Sequence, residues 1–217
     1  MSRGFSIALG EYYHVYNRGI DKRNIFESDE DKDRFQKLLY LCNGSLVLDM
    51  RALPPGPAYS VNTGNRLTSI GAYALMDNHF HLLLKETREG GISAFMQKLG
   101  TSHTKFFNLK NERSGRLYEG TFKAVHVKND NHLKRLLSYI HINPIALLDK
   151  QAQRTEEPHV QTLNNLAQFK FSSYQDHLGH RRVENEILKL EVFPSYFKNI
   201  EEYEQDMLGW LTLDYES

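Results

Sequence analysis

The chain has 217 residues, 40% of them hydrophobic, with 27 Lys+Arg against 27 Asp+Glu and one cysteine, Cys42. That length suits one domain with an appendage and can bury a proper core, while a single cysteine excludes an internal disulfide framework. No apolar run reaches membrane length and residues 1–20 lack a signal-peptide hydrophobic region, so the expectation is a cytoplasmic protein.

The zero net charge hides an asymmetry. Residues 1–148 hold 20 basic and 14 acidic side chains (+6), and residues 149–217 hold 7 and 13 (−6). Lys98–Arg135 alone carries nine basic against three acidic residues. A basic body with an acidic tail fits a nucleic-acid partner as readily as an ordinary solvated surface.

In chain order, residues 11–20 (EYYHVYNRGI) alternate aromatic and β-branched residues and end in Arg-Gly, the pattern of a strand entering a turn. Residues 28–44 predict a helix, with Ser28 as N-cap, apolar Phe35, Leu38, Leu39 and Cys42 at helical spacing, and Gly44 as the stop. Residues 53–68 are rich in Pro, Gly and Asn and predict a loop. Strands are expected over 69–77 and 78–86, a helix over 91–111 with Gly100 a weak point, a strand over 118–129, and a helix over 130–144 with Asp130 as N-cap. The order β-α-β-β-α-β-α predicts an α+β fold: a split βαβ, ferredoxin-like antiparallel sheet with helices on one face, then a further helix. Residues 1–148 form the expected main domain. Residues 149–217 read as a linker, a short docked element (FKFSSYQDHLG) and one or two acidic amphipathic helices.

The stretch DNHFHLLL at 77–84 places two histidines two apart. On a strand, His79, His81, Leu83 and Lys85 share one face, and Phe80, Leu82 and Leu84 the other. Two imidazoles side by side can hold one metal ion. On the predicted last helix, Tyr139 and Asn143 are four apart and share a face beside the Leu133, Leu136, Leu137, Ile140 stripe. Taken singly, each has an ordinary reading, as a packing tyrosine and as an Asn before Pro144. Taken together, they allow His79, His81 and the Asn143 amide oxygen to coordinate a divalent cation that polarises a phosphodiester, with Tyr139 as nucleophile. His141 falls off that helix face. Arg18, Lys105, Arg116 and Lys123 are candidates for backbone contacts.

DNHFHLLLKE resembles the HUH motif of single-strand DNA nucleases, and LLSYIHINPI is similar to the catalytic helix of single-tyrosine transposases. With YHVYNRGIDKRNIF and FSSY, the set resembles the REP-associated tyrosine transposases over residues 11–176. The resemblance implies a metal-dependent endonuclease and strand transferase using Mg²⁺ or Mn²⁺. It would act on single-stranded DNA, at hairpin-forming repeats, through a 5′-phosphotyrosine on Tyr139. An autonomous-element transposase would share this chemistry, and a non-catalytic nucleic-acid-binding module would need only the sheet. Three features depart from the pattern: the long 53–68 stretch, Phe171 where relatives carry Trp, and the tail beyond 177. The motifs leave open whether the protein is a monomer or a homodimer.

Overall fold

The computed structural model describes residues 6–48, 57–145 and 158–213. The order is β1 (Tyr12–Arg18), α1 (Asp29–Leu41), β2 (Ser69–Met76), β3 (His79–Lys85), α2 (Gly91–Lys110), β4 (Lys123–His126) and α3 (Asp130–Ile142). Then follow α4 (Pro158–Gln168), the single turn α5 (Tyr174–His177), two 3₁₀ turns and α6 (Ile200–Leu213). The four strands form one antiparallel sheet in the order β2-β3-β1-β4. That is the split βαβ arrangement expected from the alternation of patterns.

Strand periodicity sorts β3 as predicted. Phe80, Leu82 and Leu84 join Val15, Phe35, Leu38, Phe95 and Leu99 in a core beneath α1 and α2. Each fully buried side chain of this kind contributes roughly 1.5–3 kcal/mol. Ser28 occupies the N-cap of α1, and α2 runs unbroken through Gly100.

Helices α1 and α2 cover one face of the sheet, and the further helix α3 with the C-terminal elements covers the other. Ala72, Ala74, Met76 and Leu83 pack there against Leu133, Leu137, Ile140, Tyr203 and Met207. The histidine face of β3 is therefore no open surface, and His81 is only 5% exposed.

Three boundaries also differ. The strand expected over 118–129 is confined to Lys123–His126. Tyr118 makes a lone bridge to Gly19, and the Gly120 carbonyl accepts from the Asn17 side chain instead of a ladder. The N-cap of α3 is Asn129, whose Oδ1 accepts from the His132 backbone N–H at 2.9 Å, not Asp130. Asn143 keeps helical dihedrals (φ −47°, ψ −37°) despite preceding Pro144.

The 53–68 loop is described from residue 57. Its last residues tie back to the end of α1: Asn43 bonds both the Thr68 N–H and C=O at 3.0 Å, and Leu67 N–H donates to the Asn43 carbonyl. Most of the expected linker, residues 149–157, lies outside the described residues. The FSSY element docks on β2: Ser173 Oγ accepts from the Tyr73 N–H at 2.9 Å, and the Ser173 N–H donates to the Tyr73 carbonyl. Arg182 locks this segment through Asp176, Tyr73 Oη and the Ser172 carbonyl.

Candidate active site

Antiparallel register puts Tyr16 opposite His81 and Arg18 opposite His79. Side chains on one face of β1 therefore alternate with those of β3, and His14 falls next to His81. Their ring nitrogens, His14 Nε2 and His81 Nδ1, are 2.7 Å apart, and the rings stack at 4.9 Å. His79 and His81 lie 5.0 Å apart, edge to face.

Helix α3 lies across this face with Tyr139 over the imidazoles. Its ring centroid is 5.6 Å from His81 and 5.8 Å from His14, both T-shaped. Tyr139 is 49% exposed, so a substrate can reach it. One turn on, Asn143 Nδ2 donates to the Tyr139 carbonyl at 3.1 Å. That bond leaves the amide oxygen free of the helix backbone, and the carboxamide is within hydrogen-bonding reach of His79. The structure thus brings together His79, His81, Tyr139 and Asn143, the four residues picked out by spacing.

Burial dominates the electrostatics. It lowers the His81 pKa to about 2, with His14 and His79 adding to the effect. Burial, then His132, lowers His14 to about 4. His79 is lowered by burial and by Arg18, partly offset by its bond to Asn143. Three neutral imidazoles at neutral pH follow, the form in which histidine binds a metal.

Among the described residues no group of three or more His, Cys, Asp or Glu side chains could by itself hold a metal ion. A cation here would take His79, His81 and the Asn143 oxygen. Two imidazoles and one amide oxygen suit a divalent cation with positions left open, and such a set accepts Mg²⁺ or Mn²⁺ while binding Zn²⁺ or Ni²⁺ more tightly. The donor set fits that group.

The basic candidates divide. Arg18 sits beside His79, and its Nε is buried without a hydrogen-bond partner. Lys123 Nζ lies 5.8 Å above the Tyr16 ring, itself 5.7 Å from His81. Lys105 and Arg116 line a separate cavity of about 680 Å³ between α2 and residues 115–122, reached at Asn17. His141 points away from the site, as expected. It is buried between Tyr203 Oη and Ser173 Oγ, where it ties α3 to α6 and to FSSY.

His14 is the residue that sequence reasoning missed. Its signal was present, because Tyr12, His14 and Tyr16 alternate on a strand, but which strand it would face was not.

Residues 63–143 match the family model described as "Transposase IS200 like". No curated protein matches the chain. Among solved structures, a REP-associated tyrosine transposase bound to a REP hairpin aligns at 13% identity, covering 85% of this chain and 89% of that one, with a TM-score of 0.48. The tRNA(His) guanylyltransferase of Saccharomyces cerevisiae aligns at 16% identity over 93% and 86%, with a TM-score of 0.33. The family match runs from before the histidine strand to Asn143. Residues 63–143 are thus similar to the IS200-like transposase model, and every residue of the site just described except His14 and the β1 side chains lies within that match.

Proposed function

We propose that the protein is a divalent-metal-dependent single-stranded DNA endonuclease and strand transferase that acts on hairpin-forming sites through Tyr139. The observation that carries this reading is the approach of one exposed tyrosine to the imidazoles of His14 and His81, with His79 and the Asn143 carboxamide beside them, where His79, His81, Tyr139 and Asn143 all lie within the stretch that matches the family model.

In the proposed step, Tyr139 Oη attacks phosphorus and gives up its proton to solvent. The P–O3′ bond breaks, and the leaving oxygen takes a proton to become a free 3′-hydroxyl. The product is a 5′-phosphotyrosine. The number of phosphoester bonds is unchanged, so a second 3′-hydroxyl can attack the phosphotyrosine and rejoin strands without ATP. A bound Mg²⁺ or Mn²⁺ would withdraw charge from the non-bridging phosphate oxygens. His79, His81 and Asn143 would hold it. Arg18, opposite His79 on the neighbouring strand and with an unpartnered Nε, would meet a phosphate. Lys123, Lys105 and Arg116 extend positive charge away from the site and would track the strand.

The test is incubation with single-stranded hairpin oligonucleotides labelled at the 3′ end, with Mg²⁺ or Mn²⁺, followed by denaturing electrophoresis. A labelled band at protein mass that needs the metal is expected. Hairpin binding with no adduct under any metal would leave only a nucleic-acid-binding platform.

A further inference from the structure

Asn78 and His14 each contact the Nδ1 of one strand histidine, and their orientation decides which ring nitrogen carries the proton and which the lone pair. Asn78 Nδ2 donates to the Lys22 carbonyl at 3.2 Å, and a carbonyl can only accept. That fixes the flip of the Asn78 amide and puts its Oδ1 2.6 Å from His79 Nδ1. This oxygen also only accepts, so His79 Nδ1 must carry the proton. A neutral imidazole has one N–H, so Nε2 of His79 keeps a free lone pair.

The carbonyl that sets this orientation comes from an unusual turn. Asp21 and Lys22 both adopt left-handed backbone (φ 54° and 59°), at a cost of about 1–2 kcal/mol each. The turn is closed by Gly19, where a Cβ would come within 2.2 Å of the Arg23 carbonyl. Strain gathered next to a site residue suggests a functional constraint.

His81, two residues along the same strand, has the same question. Its Nδ1 faces His14 Nε2 at 2.7 Å, and one of the two must donate. If His14 donated, the His81 proton would sit on Nε2 and block that nitrogen. If His14 accepts, His81 carries Nδ1–H and presents Nε2, like His79.

We infer that Asn78 and His14 are positioning residues that hold His79 and His81 as Nδ1–H tautomers, so that both Nε2 atoms face a common cation. The His14 half rests on the metal-site reading above, whereas the Asn78 half follows from hydrogen bonding alone. Partners of this kind typically change metal affinity 10–100-fold.

The experiment is long-range ¹H–¹⁵N correlation spectroscopy of the histidine rings in the metal-free protein, together with Mn²⁺ titration by calorimetry. Both His79 and His81 are expected as Nδ1–H. Asn78→Ala should convert His79 to a tautomer mixture and weaken Mn²⁺ binding about 10–100-fold. Asn78→Asp, which keeps an acceptor oxygen, should restore the tautomer. His14→Phe should do to His81 what Asn78→Ala does to His79. An Nε2–H signal for either ring in the folded wild-type protein overturns the assignment for that ring, whatever the variants do. Rings that are both Nδ1–H in a protein that binds no Mn²⁺ uphold the assignment and overturn the metal reading instead.

Discussion

Ser138 donates a 2.7 Å hydrogen bond to Asp206, joining the residue before Tyr139 to the C-terminal helix α6. The second Asp206 oxygen is 3.1 Å from Lys134 Nζ, one turn earlier on α3. The acidic tail therefore grips the same helix that presents the tyrosine. Asp206→Ala should cost about 1–3 kcal/mol, lowering Tm by roughly 2–4 °C per kcal/mol for a chain of this size. Adduct formation should fall further than Mn²⁺ affinity, because the two histidine ligands sit on the sheet and only Asn143 rides on α3. Equal losses in both would argue against a selective effect on Tyr139.

Tyr139→Phe should abolish the covalent adduct and leave hairpin affinity within about threefold, below 1 kcal/mol. Only the hydroxyl is lost, and the ring keeps its edge contacts to His14 and His81. An adduct that survives in this variant moves the nucleophile elsewhere.

Removing residues 199–217 tests the tail as a whole. Tyr203 is 3% exposed and Met207 fully buried, and both pack in the core under α3. Deleting such side chains typically costs 2–5 kcal/mol each. The truncated protein should melt at least 10 °C lower and bind a hydrophobic dye. Were the tail instead a competitor for DNA, truncation would give a stable protein with tighter single-strand binding at low salt. Phe193, Tyr196 and Phe197 all pack against the same core, which favours the structural role. The Trp210 side chain lies outside the described residues.

Acid should destabilise the fold through His103. This residue is fully buried among Phe26, Phe35 and Phe107, and its Nε2 meets the Ile25 carbonyl at 2.8 Å. Burial lowers its pKa to about 4, partly offset by that bond, whereas the unfolded chain titrates near 6.5. Below pH 6.5 the unfolded state binds the proton and the native state does not. This contribution is therefore complete above pH 6.5 and is lost as pH falls toward 4. In urea titrations His103→Phe should flatten the slope of stability between pH 6.5 and 4 by up to about 1.4 kcal/mol per pH unit. An unchanged slope would mean that His103 is not the group responsible.

Gly19→Ala should act at a distance of several residues. The added methyl would meet the backbone carbonyl of Arg23, which cannot yield as a side chain could. Overpacking of this kind costs about 1–3 kcal/mol. The displaced turn carries Lys22, so the Asn78 amide should lose its anchor, which thermal melts and the His79 ring spectrum can report together. Normal stability with an undisturbed ring would show that the turn accommodates the methyl.

Much of this was readable in the chain because period decides face. The alternation around Phe80 separated the core residues from His79 and His81 without coordinates, and spacing four put Tyr139 above Asn143. Register was not readable. Nothing local says that Tyr16 pairs with His81, and His14 enters the site only through that pairing. The covered second face was hidden for a similar reason. Leu83 sits between two polar neighbours on its side of β3, and only the return of α3 and α6 makes that side an interior. Asn129 lost the cap to Asp130 in the reading because both are good caps and differ by one position.

The two halves of the site rest on parts of the fold with different freedom to open. His14, His79 and His81 project from β1 and β3, the inner strands of the sheet, each hydrogen-bonded on both sides. Tyr139 rides on α3, a layer outside the sheet that packs on it through Leu133, Leu137 and Ile140 and is tied to the tail at Ser138 and His141. Amide exchange should therefore split the site in time. The inner strands should exchange only through global unfolding, and α3 and α6 together through a smaller opening. On the proposed reading, a tyrosine on the outer layer could be withdrawn from a phosphate and returned while the imidazoles stay fixed, which would serve a reaction that cuts one strand and holds its end until another arrives.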